Sequence, residues 1–319
     1  MISNQGWSAV EWLKYHFGMN QNKVLVTGAT GLVGRRLISK FQNVCVTSRN
    51  VSRAKQTLGD SATDFIEWPA VENPPNLQAA EPLSTVINLM GEPIVGRWTA
   101  EKKKRLRDSR ILGTRSLIAA IESMARKPDV LVSASAVGFY GDGGNQEINE
   151  KAGPGSGFLA DLCDEWENEA RKAEELGVRV VILRIGIVLS PDGGALKQML
   201  PIFRTGLAGP LGNGRQYFPW IHLDDLVGLF HWAATDSNAK GVYNATAPTP
   251  VTNREFTRCL ASFLRRPAFL PAPKFALKIA MGEFANSLFV SHRVVPEAAI
   301  RDGFEFQHPD LEPALRDLI

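Results

Sequence analysis

One stretch, residues 23–37 (KVLVTGATGLVGRRL), constrains the fold of this chain more than any other. Its first four residues predict a short buried strand, and apolar residues at helical spacing follow the glycines Gly28, Gly31 and Gly34. Glycine at a strand-to-helix turn lets the backbone approach a pyrophosphate, and the helix N-terminus supplies unpaired N–H groups for it. Strand, glycine-rich turn and helix together predict a dinucleotide-binding site here.

Strand and helix patterns alternate along most of the remaining chain. Strands are predicted over residues 43–48, 65–68, 85–90, 129–133, 178–184 and 241–245, and helices over 99–125, 158–176, 195–205 and 224–234. This alternation predicts an α/β fold with a doubly wound parallel sheet and right-handed crossovers. Prolines and short helical patterns from Pro248 onward predict a small, mainly helical C-terminal substrate lobe.

These patterns divide the chain into three parts. An amphipathic pattern over residues 1–21 predicts an N-terminal helical extension. Residues 22–190 together with 218–247 form the predicted Rossmann domain that binds the dinucleotide. Residues 191–217 together with 248–319 form the predicted substrate lobe.

The overall composition gives no sign of a nucleic-acid or membrane partner. The 319 residues include 36 basic and 33 acidic side chains, a net charge of +3, which gives no reason to expect a polyanionic partner. No run of about twenty apolar residues predicts a membrane span. Three widely separated cysteines, Cys45, Cys163 and Cys259, indicate a reducing compartment and no metal site. We therefore expect a cytoplasmic protein that acts on a small molecule.

The end of the second predicted strand indicates which dinucleotide is bound. An acidic residue about twenty positions after the first glycine binds the ribose hydroxyls of NAD. This chain has Ser48 and Arg49 there, with Arg53 as a second candidate. A guanidinium forms charge-assisted bonds with a 2′-phosphate, which a carboxylate would repel. The sequence therefore predicts NADP (NADPH) as the cofactor.

Two motifs resemble those of extended short-chain dehydrogenases/reductases. The glycine turn has the spacing T-G-x-x-G-x-x-G, and residues 132–141 (VSASAVGFYG) resemble the family's serine-rich strand end and Tyr-Gly turn. In that family a serine at this place orients the substrate oxygen, which the resemblance assigns to Ser135, with Ser133 next. Tyr140 is the nearest phenol, and the carboxyl end of such a strand faces the cofactor crevice. We predict Ser135 and Tyr140 as the catalytic pair.

The family's Tyr-x-x-x-Lys pair is missing from this sequence. The matching segment, residues 157–167 (GFLADLCDEWE), contains neither tyrosine nor lysine, and Phe158 and Leu162 hold the nearest four-residue spacing. A phenol without a nearby cation keeps a pKa near 10 and is a poor base at neutral pH. We therefore expect any turnover to be a slow NADPH-dependent reduction.

Further stretches resemble one atypical subgroup, the sugar-nucleotide epimerase-like proteins with a C-terminal domain of unknown function. These stretches are residues 88–93, 109–110, 162–167, 183–189 and 209–226, and the resemblance covers residues 22–319. The turn and the resemblance together predict cofactor contacts from Thr27, Gly28, Thr30, Gly31, Leu32, Val33, Gly34, Ser48, Arg49, Asn88, Leu89, Met90, Gly91, Arg110, Ser133, Arg184 and Gly186. His222 is either an acid or base near the site or a residue that bonds its neighbours.

Two functions fit these patterns. The first is an NADP-dependent oxidoreductase or epimerase acting on a small carbonyl or sugar-nucleotide substrate, favoured by Ser135, Tyr140 and the intact strand ends. The second is a nucleotide-binding regulatory or scaffold protein without turnover, favoured by the missing Tyr-x-x-x-Lys pair.

Overall fold

A computed structural model describes residues 23–319, so the predicted helical extension over residues 1–21 lies outside the described part. The strands are β1 (Val24–Thr27), β2 (Val44–Ser48), β3 (Asp64–Glu67), β4 (Thr85–Asn88), β5 (Val130–Ala136), β6 (Glu147–Ile148), β7 (Arg179–Ile185), β8 (Ile187–Ser190), β9 (Tyr217–Phe218), β10 (Trp220–His222), β11 (Gly241–Ala245), β12 (Val251–Thr252) and β13 (Arg293–Val294). The α-helices are α1 (Leu32–Leu37), α2 (Val51–Leu58), α3 (Ala100–Ser123), α4 (Phe158–Arg171), α5 (Gly194–Thr205), α6 (Leu223–Thr235), α7 (Asn253–Phe263), α8 (Lys274–Met281), α9 (Phe284–Ser287), α10 (Glu297–Arg301) and α11 (Leu311–Leu318).

Seven strands form one parallel sheet in the order β11–β7–β5–β4–β1–β2–β3. β1 lies between β2 and β4, with Val26 opposite Val46 on one side and Ile87 on the other. The chain therefore winds outward in one direction from β1 to β3 and in the other from β4 to β11. In open α/β sheets the ligand crevice lies at the carboxyl ends of the strands where this order reverses.

Both faces of the sheet are covered by helices, which is why its central strands are mainly apolar. Val26 and Ile87 belong to a buried cluster that includes the apolar face of α6. Leu25 and Val86, on the opposite face, pack with Leu117 of α3. Alternate residues of one strand are thus buried in different layers. This arrangement confirms the predicted doubly wound α/β fold.

The early ends of β4 and α4, relative to the sequence pattern, have visible local causes. β4 ends at Asn88 rather than at residue 90, because the backbone N–H groups of Leu89 and Met90 turn toward the Thr27 hydroxyl, at 3.1 and 3.2 Å. α4 gives way after Arg171 to a 3₁₀ turn, which closes at Gly177 in the left-handed conformation. Apolar spacing located both elements but could not show these local bonds.

The C-terminal region is mainly helical and has its own buried cluster. Phe256 and Leu260 of α7 pack with Leu315 of α11, and Trp220 of β10 and Phe203 of α5 complete the cluster. Through residues 23–319, no helix combines the length and apolarity needed to cross a membrane.

Candidate dinucleotide-binding site

The glycine-rich turn is close-packed at two of its glycines and open at the third. Gly28 has φ +68°, and a Cβ on it would lie 2.7 Å from the Leu89 carbonyl oxygen. A Cβ on Gly34 would lie 2.6 Å from the Gly28 carbonyl oxygen. At Gly31 the nearest atom to such a Cβ is that same oxygen, at 3.2 Å. Gly28 and Gly34 are therefore needed for the turn itself, whereas Gly31 leaves its outer side open.

A buried polar network holds the ends of β1 and β4 together behind this turn. The Thr27 hydroxyl donates to Asn88 Oδ1 at 2.7 Å, and Asn88 Nδ2 donates to the Thr114 hydroxyl at 3.0 Å. Trp166 Nε1 donates to the same Thr114 hydroxyl at 3.0 Å. Thr27 and Asn88 are fully buried, so these two predicted cofactor residues position the backbone of the crevice instead of lining it.

A cavity of about 590 Å³ opens in front of the turn, beside the carboxyl ends of β1, β2 and β4. Six of the predicted cofactor residues line it: Gly28, Thr30, Ser48, Arg49, Met90 and Gly91. The other lining residues are Arg35, Thr47, Asn50, Arg53, Ala54, Thr57, Trp68, Val71, Glu92 and Ser109. The cavity thus lies where the strand order reverses, the place expected for a dinucleotide.

Three arginines give this cavity a positive wall. Arg35, Arg49 and Arg53 line it, and none of the three forms an ion pair with another described residue. The carboxylate that also lines the cavity, Glu92, is 2.7 Å from Lys102 Nζ. That hydrogen bond lowers the pKa of Glu92 against the opposing effect of burial. The uncompensated charge is therefore positive, which suits the phosphates of a dinucleotide.

The turn after β2 fixes the backbone positions of two of these arginines, Arg49 and Arg53. The Ser48 hydroxyl accepts from the Asn50 backbone N–H at 3.2 Å and donates to the Asn50 carbonyl at 3.0 Å. The Asn50 side chain accepts from the Arg53 backbone N–H at 2.9 Å and so caps α2. We did not predict Asn50 or Arg35, although an Asn before a helical run and an Arg directly after Gly34 were visible signals.

The far side of the cavity is apolar. Trp68 is buried, and its Nε1 donates to the Asn73 carbonyl at 2.7 Å, which fixes the indole ring. Val71 and Met90 lie on the same wall. A flat heteroaromatic ring fits such a surface, and the arginines suit anionic groups.

Arg110 lies beneath the cavity rather than in its wall. A Cβ on Gly91 would lie 3.0 Å from its guanidinium carbon. The guanidinium donates to the Glu92 carbonyl at 3.1 Å and sits 5.2 Å from the Trp166 ring centre. Burial lowers the pKa of Arg110. This predicted cofactor residue therefore supports the loop after β4 from behind.

Ser135 and Arg184 meet at a buried carboxylate. Ser135 Oγ donates to Glu167 Oε1 at 2.7 Å, and Arg184 bonds Glu167 through Nε at 2.8 Å and through a second nitrogen at 2.9 Å. All three residues are no more than 3% exposed. Burial acts to lower the pKa of Arg184, but the bond and charge of Glu167 hold it above its usual value. Arg184 therefore belongs to an internal ion pair and does not line the cavity at the glycine-rich turn.

Tyr140 closes the same network from the other side. Its hydroxyl donates to Asn244 Oδ1 at 2.7 Å and accepts from Arg184 at 2.9 Å, and the residue is 6% exposed. Burial raises the pKa of Tyr140 against the opposing effect of Arg184. The hydroxyls of Ser135 and Tyr140 are thus both bonded to protein groups. Neither residue lines the cavity at the glycine-rich turn, and their contact with a substrate stays a prediction.

The other predicted cofactor residues shape the crevice through packing. Leu32 lies against Gly193 at the start of α5. The Ser133 hydroxyl is buried and donates to the carbonyl of Ala134 at 3.3 Å. A Cβ on Gly186 would lie 2.2 Å from the Pro219 carbonyl oxygen, so Gly186 allows two backbone segments to cross. Val33 and Leu89 pack at the margin of the buried cluster over the sheet.

The helix that carries the family's Tyr-x-x-x-Lys pair has different chemistry in this chain. Phe158 packs edge-on against Trp98, with ring centres 5.2 Å apart, and Lys103 Nζ lies 5.0 Å above its ring. Leu162 is 2% exposed and belongs to the core over the sheet. Both positions are therefore apolar packing positions, and neither can transfer a proton.

His222 caps a helix. Its Nδ1 accepts from the Asp224 backbone N–H at 3.0 Å at the start of α6. Burial and the nearby His308 ring, stacked at 3.8 Å, lower its pKa. One potential ligand atom each of His222, His308 and Asp317 lie within 4.8 Å of one another, the spacing of a metal site. However, the bond to Nδ1 places the ring proton on Nε2, which is then no lone-pair ligand.

Comparison with known proteins agrees with this geometry. The pattern of the NAD dependent epimerase/dehydratase family matches residues 24–246, and that of a domain of unknown function, DUF1731, matches residues 272–318. The chain therefore belongs to the NAD dependent epimerase/dehydratase family, as its motifs predicted.

Individual relatives and solved structures show which members of the family this chain is similar to. The chain is 42% identical over 306 residues to the chloroplastic SDR39U1 homolog of Arabidopsis thaliana, covering 94% of this chain and 87% of that protein. It is 34% identical over 301 residues to the epimerase family protein YfhF of Bacillus subtilis, covering 93% and 97%. The crystal structure of human epimerase family protein SDR39U1 with NADPH superposes with a TM-score of 0.81 at 31% identity, covering 93% and 98%. A UDP-glucuronic acid 4-epimerase from Bacillus cereus, at 16% identity and a TM-score of 0.71, shares the fold.

Proposed function

We propose that this chain binds NADPH in the cavity at the glycine-rich turn and reduces, or epimerises, a small carbonyl or sugar-nucleotide substrate. The observation that carries the proposal is the positive wall formed by Arg35, Arg49 and Arg53. No acidic ribose ligand stands at the end of β2, where Ser48 lies. The NADPH in the structure of the human relative supports this choice of cofactor.

The described residues fit the parts of such a cofactor. The open side of Gly31 leaves room for the pyrophosphate, and Trp68 with Val71 offers a surface for the adenine ring. The backbones of Arg49 and Arg53 follow Ser48 at the end of β2, where an adenosine 2′-phosphate would lie. When bound, NADPH supplies reducing equivalents to the carbonyl carbon of the substrate.

Titration of NADPH and NADH, followed by nucleotide fluorescence, tests the proposal. A charge-assisted hydrogen bond contributes about 1.5–3 kcal/mol, so NADPH should bind at least about tenfold more tightly than NADH. Arg49→Ala and Arg53→Ala should each weaken NADPH binding and leave NADH binding nearly unchanged. Arg126→Ala, an exposed arginine outside the cavity, is the matched control. Equal affinities for the two nucleotides would contradict the proposal.

A second function, nucleotide binding without turnover, is favoured by one observation. The Ser135 and Tyr140 hydroxyls are bonded inside the protein, and Phe158 and Leu162 replace the family's proton-transfer pair. A panel of carbonyl substrates with NADPH distinguishes the two functions. Reduction of any member supports the oxidoreductase, whereas tight NADPH binding with no turnover on the whole panel supports a regulatory role.

A further inference from the structure

Charge is unevenly distributed in the C-terminal lobe. Residues 254–282 contain six basic side chains and one acidic side chain, a net charge of +5, whereas the whole chain has +3. The remainder of the chain is therefore slightly acidic. The net charge of the whole chain is near neutral and gave no reason to expect an anionic partner. That average conceals this strongly basic segment.

The basic side chains of this segment are exposed and lack counter-ions. Arg258, Arg265, Arg266, Lys274 and Lys278 are all exposed, and within residues 23–319 none of them forms an ion pair. Their charges are thus available to an external partner. A concentrated, uncompensated positive charge attracts anionic surfaces over a Debye length, about 10 Å at moderate salt.

Large apolar side chains are exposed in the same segment. Phe269, Phe275 and Ile279 are 71%, 70% and 74% exposed, and Leu270 is 44% exposed. Phe275 and Ile279 are four residues apart on α8, so they lie on one face of that helix. Single exposed apolar residues are ordinary, but a group of four large ones marks an interaction surface.

The basic and apolar residues lie side by side. Arg258 and Phe269 line a cavity of about 350 Å³ together with Gly212. The Phe289 ring packs against Gly212, and Lys274 Nζ lies 5.4 Å above that ring. The first turn of α8 therefore adjoins the cavity through Lys274 and Phe289.

We propose that this surface docks the protein on an anionic phospholipid bilayer. We name it the basic apolar face and define it by Phe269, Leu270, Phe275, Ile279, Arg258, Arg265, Arg266, Lys274 and Lys278. Its apolar side chains enter the boundary between head groups and acyl chains, and its cations contact lipid phosphates. Lys274 and Lys278 flank Phe275 and Ile279, which lets the lysine stems cover apolar surface while their ammonium groups reach the phosphates.

The distribution of charge on this face favours a bilayer over a protein partner and over a second copy of this chain. The cores of protein–protein interfaces are depleted of lysine, whereas here Lys274 and Lys278 adjoin the exposed apolar side chains. A second copy of this chain would bring two segments of net charge +5 together, which is unfavourable. An anionic bilayer satisfies the basic and the apolar side chains at once.

Docking of the basic apolar face on a bilayer would also orient the dinucleotide cavity relative to the membrane. Gly282, directly after α8, pairs with Trp98, and Glu283 forms an ion pair with Lys103. Trp98 and Lys103 follow the loop in which Gly91 and Glu92 line the dinucleotide cavity. The basic apolar face is thus linked through backbone and ion-pair contacts to the loop beside the cofactor.

Co-sedimentation of the full chain with lipid vesicles tests the proposal. We expect binding to phosphatidylcholine vesicles that contain about a third phosphatidylglycerol, at least tenfold weaker binding to pure phosphatidylcholine, and release at high salt, where the charges are screened. Absence of binding to the anionic vesicles at low salt would overturn the proposal.

Paired variants locate the contact. Lys274→Glu/Lys278→Glu should weaken vesicle binding at least tenfold, because each surface lysine contributes roughly fivefold. Phe275→Ser/Ile279→Ser should weaken it comparably. Arg126→Glu and Ile300→Ser, changes of the same kind at exposed positions outside the face, should bind like the unchanged protein.

Two results would refute this assignment. One is vesicle binding by both double variants that equals that of the unchanged protein. The other is light scattering that shows a dimer converted to a monomer by Phe275→Ser/Ile279→Ser, which would make the face an interface between copies. NADPH affinity, measured on the same preparations, should stay unchanged and shows that the variants are folded.

Discussion

Glycine has two different functions within one turn of this protein. A Cβ at Gly34 would collide with the Gly28 carbonyl oxygen at 2.6 Å, whereas a Cβ at Gly31 would meet only that oxygen, at 3.2 Å. We infer that the fold requires the first glycine and that the proposed ligand requires the second. Residues that look equivalent in a motif can therefore be separated by experiment.

We predict that Gly31→Val folds but loses NADPH binding, whereas Gly34→Val fails to fold. The β-branched side chain at position 31 needs only a small shift of the Gly28 carbonyl, but it occupies the approach to the phosphates. Circular dichroism reports the fold and calorimetry the binding. NADPH binding retained by Gly31→Val would place the nucleotide elsewhere.

Glu167 neutralises a buried arginine, and its removal should be costly. We expect Glu167→Gln to lower the free energy of unfolding by about 3–5 kcal/mol, because Arg184 would remain charged and buried without a counter-ion. Glu165→Gln on the same helix is the matched control. It removes an exposed pair with Arg107, and we expect a change of at most about 1 kcal/mol. Urea unfolding measures both, and equal effects would contradict this account.

The same residues show what sequence reasoning could not resolve. Arg49 was predicted from its position after β2, where the motif fixes the distance along the chain, and it lines the cavity. Arg184 stands at an equally suggestive strand end, yet Glu167 on a neighbouring helix holds it inside the protein. Nothing in the local sequence shows that pairing. Position along one element was predictable, whereas the side-chain partners contributed by other elements were not.

Elements were predicted better than their ends. Apolar spacing located α3 and α4 and every strand of the main sheet, because helices cover both sheet faces and so require apolar strands. The ends of β4 and α4 depend on single contacts, the Thr27 hydroxyl for one and the left-handed Gly177 for the other. Such contacts leave no periodic signal in the sequence.

The burial of one position in α4 predicts what would happen if the Tyr-x-x-x-Lys pair were restored. Restoring the missing pair by Phe158→Tyr/Leu162→Lys should not create a proton-transfer site, because position 162 is buried in the core. We expect the double variant to lose several kcal/mol of unfolding free energy, since a buried lysine is desolvated and leucine packing is lost. Phe158→Tyr alone, at a half-buried position, should be tolerated. Thermal unfolding measures both, and a double variant as stable as the unchanged protein would contradict the burial of this position.

Across the whole molecule, buried and half-buried histidines make stability depend on pH. Burial lowers the pKa of His292 to about 4, and burial also lowers those of His222 and His231. The unfolded chain binds protons near its ordinary histidine pKa of about 6.5, while the folded protein does not. The free energy of unfolding should therefore fall as the pH falls from about 6.5 to 4, with up to about 3 kcal/mol from His292.

Urea unfolding at several pH values checks this dependence. His292→Leu should reduce its slope between about pH 6.5 and 4, because one of the contributing groups is gone. An unchanged slope in that variant would mean that His292 is protonated equally easily in the folded and unfolded states.

The parallel sheet also determines the order in which the chain can acquire structure during synthesis. Its central strand β1 pairs with β2, but Val24 finds its other partner at Thr85, about 60 residues later. At roughly 5–20 residues per second, a ribosome needs several seconds to supply that partner. During this interval one edge of β1 is an open template for other strands. Nascent chains of this protein are therefore most exposed to misassembly before β4 is made, at a stage when the glycine-rich turn is already complete.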